Sequence, residues 1–294
     1  MENLNTCLVC GQTQFTTLFS CKDFVATEET FQVQRCNNCS FLFTNPRPEI
    51  CKIGRYYQSD QYVSHAGNKK GLIYKIYDVV RNYSIKKKLT LIKGYHTKGK
   101  LMDLGCGLGD FLNGVHQDGV FDSVGVDVSE EAIKHVKNRF GIDVKNENQL
   151  DSFLQNDFDI ITQWHVLEHV HLLNERIEQL KRLLKHNGTL FIAVPNSDSW
   201  DTKFYKQYWD AYDVPRHLYH FNQKSFCLLM EKHGLKVVKT LPMLFDAPYV
   251  SMRSEIHQKH ILPFLRGGIF GVISILMAKK SSNYSSQIFV VKNA

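Results

Sequence analysis

The sequence contains no internal repeat, no low-complexity tract and no marked excess of charge. Hydrophobic residues make up 43% and charged residues 22%, ordinary proportions that exclude an intrinsically disordered chain. No basic segment followed by an apolar run opens the chain, whose first ten residues read MENLNTCLVC, so no secretory signal is expected and a cytoplasmic location is. A hydrophobic run of membrane-spanning length is also missing. The most apolar stretch, Ile261 to Ala278, is short and is broken by Pro263, Arg266 and the pair Gly267-Gly268. The formal charge of +7 is modest for 294 residues. It suits an anionic substrate or an anionic membrane surface, and it permits nucleic acid without requiring it.

What is present divides the chain into three regions. Residues 1–48 carry five of the eight cysteines and end in the stiff segment Asn45-Pro46-Arg47-Pro48. Residues 49–99 are rich in tyrosine and lysine and read as a helical linker or substrate cap, with Leu72, Ile73, Ile76, Val79, Val80 and Tyr83 at near-helical spacing. Residues 100–294 alternate short apolar runs with amphipathic stretches, the pattern of a parallel sheet with crossover helices. Strands are expected at Lys100–Leu104, Ser123–Val128, Phe158–Gln163, Thr189–Val194, Lys236–Leu241 and Gln287–Val291, with a weaker one near Ile142–Lys145. Helices are expected at Asp110–Asp118, Glu130–Phe140, Leu172–His186 and Gln223–His233. Ser129 should cap the second of these, Gly141 should stop it, and Asn187-Gly188 should stop the third. An apolar insertion at about 249–283 precedes the last strand.

Two groups of residues carry chemistry. The first is Asp103-Leu104-Gly105-Cys106-Gly107-Leu108-Gly109, which reads as a strand end, a tight turn and a helix start. Glycine lets the backbone turn sharply and approach a ligand where a Cβ would clash. Asp127 closes the next strand 18 residues beyond Gly109, where its carboxylate can accept hydrogen bonds from ribose hydroxyls. The spacing differs from the dinucleotide pattern G-x-G-x-x-G. An acid ahead of the first glycine would repel a diphosphate but could pair with the ammonium of a methionine moiety. The second group is Cys7-Leu8-Val9-Cys10 and Cys36-Asn37-Asn38-Cys39, two C-x-x-C knuckles 25 residues apart. Four thiolates at this spacing can close a tetrahedral zinc site, which a reducing compartment favours over disulfides. Because Cys7, Cys10, Cys36 and Cys39 would fill the coordination sphere, the zinc is read as structural.

The glycine turn and Asp127, with the segment from Phe158 to Val170 that ends Val166-Leu167-Glu168-His169, resemble the class I S-adenosylmethionine-dependent methyltransferases. The resemblance implies an α/β fold with a Rossmann-like seven-stranded sheet, here behind a small zinc ribbon. It implies that Asp103, Gly105, Gly107 and Gly109 line the amino-acid end of S-adenosylmethionine and that Asp127 holds its ribose. His165 would stand near the reactive end, Trp164 would contact the cofactor, and Asn148 or Glu147 would lie near the adenine. The ribbon and its Asn-Pro-Arg-Pro tail are similar to the branch containing deoxysugar C-methyltransferases and polysaccharide-pathway enzymes. That likeness implies a small-molecule acceptor, saccharide-like or lipid-linked, methylated on oxygen or carbon. His217 aligns with the histidine proposed as base in that branch, while His220 stands where tyrosine is usual. Tyr56, Tyr57, Tyr212, Arg216 and Tyr219 are candidate substrate contacts, and His165, His217 and His220 the candidate catalytic residues. Competing readings are an RNA methyltransferase and a non-catalytic cofactor-binding protein. Against RNA, the ribbon has no run of arginines and aromatics, and the Asn/Asp-Pro-Pro-aromatic motif of many nitrogen methyltransferases is absent after the strand ending at Gln163. Residues 261–280 are read either as a buried flap or as an interfacial segment with lysines at its edge.

Overall fold

In the computed structural model, which describes residues 1–58 and 72–294, the chain builds two sheets. The N-terminal part contributes β1 (Phe15–Lys22), β2 (Thr30–Cys36) and β3 (Leu42–Thr44), paired antiparallel in that order. After helix α1 (Leu72–Lys93) the large sheet begins with β4 (Gly99–Leu104). It continues through α2 (Asp110–Asp118), β5 (Phe121–Asp127), α3 (Glu130–Phe140), β6 (Val144–Asn146), β7 (Phe158–Trp164), α4 (Leu173–Leu183) and β8 (Leu184–Pro195). Helix α5 (Trp200–Tyr205) and the two-residue β9 (Tyr219–His220) lead to α6 (Gln223–Lys232) and β10 (Leu235–Pro242). Helices α7 (Asp246–His257) and α8 (Pro263–Ser281) form a hairpin ahead of the last strand, β11 (Ser286–Asn293).

The large sheet is the expected seven-stranded Rossmann-like one, in the order β10-β11-β8-β7-β4-β5-β6. Pairing is parallel from β8 to β6, and only β11 runs antiparallel to its neighbours. Strand β4 lies between β5 and β7, so successive crossovers leave it in opposite directions. A crevice opens at the carboxyl end of such a switch point. The interior strands are buried on both faces: every residue from Thr189 to Val194 is buried, which explains why they read as continuous apolar runs. Helix α4 packs on the sheet through Leu173, Ile177, Leu180 and Leu183, spaced as one helical stripe. The expected caps of α3 are in place, with the Ser129 hydroxyl accepting the Ala132 amide at 3.2 Å and Gly141 in the left-handed region.

Two local readings change. The third helix ends at Leu183 rather than His186, and Asn187-Gly188 lies inside β8. Phe158 faces Leu184 while Ile160 already faces Thr189, so the turn-forming pair sits in a bulge of the sheet instead of stopping a helix. In α1, Val79 and Tyr83 are exposed, and the packed face runs through Leu89 and Ile92 beside Ile85. The start of that helical segment, residues 59–71, lies outside the described residues.

The four-stranded sheet has the order β1-β2-β3-β9, so its last strand comes from a loop of the large domain. Arg216, just before that strand, is fully buried and spans both parts of the chain. Its guanidinium reaches Asp23 at 3.0 Å, Asp213 at 2.6 Å and the Tyr56 carbonyl at 2.8 Å. Burial pushes the Asp23 and Asp213 carboxyls up, but the guanidinium outweighs it and holds both below the usual carboxylate range. Replacing Arg216 with Met would strand the buried carboxylate of Asp23 and the half-buried one of Asp213. Urea unfolding should show a loss of about 3–5 kcal/mol, and Arg216→Lys should recover only part of it, because a single ammonium cannot span the same acceptors.

Candidate functional site

The turn after β4 is built by glycines with distinct duties. Gly105 and Gly109 have φ of 78° and 77°, and a Cβ on them would lie 2.4 Å from Val166 and 2.6 Å from Val136, so packing excludes side chains there. Gly107, at φ 54°, would meet nothing within 4 Å, so its Cα faces open space. The Gly107 amide donates to Asp127 Oδ2 at 2.7 Å and the Ser129 amide to Oδ1 at 2.9 Å. Beneath the turn, Asp103 is almost wholly buried and its Oδ1 accepts the Thr162 hydroxyl at 2.7 Å. Burial raises its pKa to about 6, against the opposing pull of Thr162 and Lys88. A buried acid beside an open glycine backbone fits the ammonium end of S-adenosylmethionine and does not fit a pyrophosphate.

Charges converge on this crevice from elements far apart in sequence. The Lys88 ammonium lies 4.1 Å from the centre of the Trp164 ring, and burial lowers its pKa to about 8 against the attraction of Asp246 and Asp103. Trp164 also packs edge-on against Phe111. His165 adopts a left-handed φ of 59°, with Nε2 3.0 Å from Asp246 and Nδ1 3.3 Å from Glu168. Burial opposes its charge, but the two carboxylates outweigh that and raise its pKa to about 10. His165 is therefore an imidazolium held in place at neutral pH.

Behind it, one carboxylate oxygen of Glu168 and one nitrogen each of His169 and His217 lie within 4.8 Å of one another. Nδ1 of His217 bonds the Ala211 carbonyl at 2.8 Å. Nδ1 of His169 bonds the Arg216 carbonyl at 3.1 Å and lies 3.0 Å from the Tyr57 hydroxyl. A carbonyl accepts only, so in the neutral rings both Nδ1 atoms carry the proton and both Nε2 atoms are free to accept. Burial and the neighbouring His217 lower the His169 pKa to about 4. Glu168 is fully buried; burial pushes it up, yet the surrounding histidines keep it below its usual range and ionised.

The other expected contacts lie elsewhere. Tyr56 is fully buried with its hydroxyl on Glu29. Tyr219 is buried, with its hydroxyl shared between Arg47 and the His171 carbonyl, and Arg216 is committed to the ion pairs above. These three serve packing between the two sheets rather than an open pocket. Tyr212 and His220 are buried against each other edge-on, and His220 Nε2 bonds the Thr44 hydroxyl at 3.2 Å. Burial lowers the His220 pKa to about 3, so it stays neutral. Asn148 is exposed just after β6, whose Asn146 pairs with Asp127. Lys88 and Asp246 were not expected from the sequence, because neither stands in a motif and only the fold brings them to the crevice.

The four knuckle cysteines come together as their spacing implies. Sγ of Cys7 is 3.5 Å from Sγ of Cys39, and Sγ of Cys10 is 3.5 Å from Sγ of Cys36. Disulfide sulfurs sit about 2.0 Å apart, whereas sulfurs at about 2.3 Å from a shared tetrahedral zinc lie about 3.8 Å apart. The cluster fits a zinc ribbon.

The architecture is that of the Rossmann-like methyltransferases. An S-adenosylmethionine-dependent methyltransferase of Thermotoga maritima, described as a possible histamine N-methyltransferase, superposes with a TM-score of 0.52 at 15% identity, over 80% of this chain and 97% of that one. A family defined as a methyltransferase domain matches residues 79–240, more than half of the chain, and the chain belongs to that family. An uncharacterised protein of Methanocaldococcus jannaschii is 33% identical over 111 residues, 37% of this chain and 47% of its own length. The ubiquinone biosynthesis O-methyltransferase of Pelagibacter ubique is 30% identical over 124 residues, 40% of this chain and 50% of its own. The chain thus spans about half the length of these two relatives.

Two outcomes are expected. Only ionised Asp103 can pair with an ammonium, so affinity for S-adenosylmethionine measured by calorimetry should be level above pH 7. It should fall by up to about tenfold per unit as pH drops below the Asp103 pKa, and Asp103→Asn should be weaker and flat across that range. Elemental analysis should find one zinc ion per chain, and a strong chelator should remove it and lower the melting temperature.

Proposed function

We propose that this chain transfers a methyl group from S-adenosylmethionine to an oxygen or carbon atom of a small acceptor, saccharide-like or lipid-linked. The observation that carries the reading is the open backbone at Gly107, framed by Asp103 and Asp127, together with the partly buried Glu168–His169–His217 cluster, whose segment packs Val166 against Gly105 of the same turn. Asp103 would hold the amino-acid end of the cofactor, Asp127 the ribose, and Asn148 the adenine side. When bound, the cofactor supplies an electrophilic methyl group on a sulfonium.

What remains for the protein is to orient the acceptor and take its proton. His217 is the best placed base. Its Nδ1–H is anchored on the Ala211 carbonyl, which leaves Nε2 as the accepting nitrogen, 4.0 Å from Asp213, in a ring grouped with Glu168 and His169. The ionised carboxylate of Glu168 would stabilise the imidazolium as it forms. His169, kept neutral, would orient the acceptor together with Tyr57. His165 already holds its proton between Asp246 and Glu168 and serves as a fixed positive charge. The neutral, enclosed His220 supports the Tyr212 wall.

An oxygen acceptor is favoured by the Pelagibacter relative, which is named as an O-methyltransferase, and a saccharide-like one by the resemblance of the ribbon and its Asn-Pro-Arg-Pro tail. Methyl-labelled S-adenosylmethionine supplied with a fractionated host extract, followed by mass spectrometry, would identify the labelled product. His217→Ala should then slow transfer about 10²- to 10⁴-fold while the cofactor dissociation constant stays level. Turnover unaltered by that change would remove His217 as the base.

A further inference from the structure

Apart from Asp246 at the start of α7, the α7–α8 hairpin has no part in the site described above, and it is built inside out. Helix α8 buries Gly267, Gly271, Ser274 and Ala278, its small residues, against α7 and the body of the protein. The approach is close: a Cβ on Gly267 would lie 2.3 Å from the Met252 Cα, and one on Gly271 2.4 Å from the Pro248 Cα. The opposite stripe, at the same helical spacing, is Leu265, Ile269, Val272 and Leu276, each more than half exposed. At the tip between the helices, Ile261 is 85% exposed, and Leu262 and Phe264 are exposed as well. A helix of a water-soluble surface places its large apolar residues inward; this one places them outward. The arrangement is anchored. The Ser274 hydroxyl bonds the buried Asp201 at 2.9 Å, and buried Glu255 holds Arg266 at 2.5 Å and His260 at 2.7 Å.

The charge pattern selects the occupant. From Ile256 to Ala294 the sequence has no aspartate or glutamate, and it has four lysines and an arginine. Lys279 and Lys280 are exposed at the end of α8, and Lys259 is exposed near its start. Beside the tip, a cleft of about 630 Å³ is lined by Lys22, His257, Lys259 and His260 among uncharged neighbours, with no carboxylate. Carboxylates adjoining the lining, the exposed Glu28 and the more enclosed Asp210 and Glu255, pair with Lys22, His257 and His260 in turn, leaving Lys259 the lining cation outside these pairs. A second copy docked α8 against α8 would bring the lysines of one helix against those of the other, because α8 itself carries no acid. An anionic bilayer matches both features, an apolar stripe for the acyl boundary and basic edges for the headgroups. Among the described residues no helix is long and apolar enough to cross a membrane, so α8 would lie in the interface plane.

We propose that the α7–α8 hairpin docks the protein on anionic lipid membranes, with the Leu265–Leu276 stripe immersed and Lys259, Lys279 and Lys280 at the headgroups. This goes beyond the methyl-transfer reading and does not depend on it. The test is co-sedimentation of the full-length, zinc-replete protein with vesicles of phosphatidylcholine alone or mixed with phosphatidylglycerol. Binding is expected to the mixed vesicles, to weaken with salt, and to be much lower on phosphatidylcholine alone. Lys279→Glu combined with Lys280→Glu should reduce partitioning at least about tenfold. Leu265→Gln combined with Ile269→Gln should abolish it, with melting temperature and cofactor affinity unchanged in both variants. No binding to the mixed vesicles, equal binding to both kinds, or full binding by the Gln variant would each overturn the proposal. So would a dimer seen by light scattering that the Gln variant dissolves, if vesicles are not bound.

Discussion

The carboxylate of Asp127 accepts the amides of Gly107 and Ser129, and through these two bonds it fixes both turns that leave the switch point of the sheet. One bond tethers the glycine loop after β4; the other starts the cap of α3. The glycines on either side are excluded from carrying side chains by Val166 and Val136, while the one between them faces open space. The loop therefore has its shape before any ligand arrives, and the buried charge of Asp103 lies directly below it. Pre-formed backbone of this kind reduces the ordering that binding would otherwise require.

Around that fixed point the protein arranges ionisable groups so that neighbours hold different protonation states. His165 is charged because two carboxylates face it, whereas His169 and His220 are neutral because burial dominates. Three histidines within one small region thus differ in what they can do. The difference follows from surroundings rather than from residue type.

Much of this was legible in the sequence, and the parts that were not have physical reasons. The inner strands of the large sheet announce themselves because they are largely buried on both faces, and the glycine turn and cysteine knuckles have spacings that few other structures need. The end of α4 was misread because Asn187-Gly188 suits a sheet bulge as well as a helix stop. Tyr219 and Arg216 looked like ligands to a substrate because polar side chains in a loop usually face solvent; here the loop is sandwiched between two sheets. Lys88 and Asp246 carry no local signal, since each reaches the crevice from a helix outside the strand–turn–helix units. The outward stripe of α8 was visible as apolarity, but its direction depends on where Gly267 and Gly271 touch α7.

The two-residue strand β9 has a wider consequence. It completes the ribbon's sheet from within the methyltransferase domain, and the neighbouring Arg216 ties into Asp23 of the ribbon. The front module is therefore not a bead on a string. Exchanging it between relatives would require carrying the 213–221 loop with it, and that loop also holds His217. Whatever the ribbon contacts and whatever His217 touches are bound to change together.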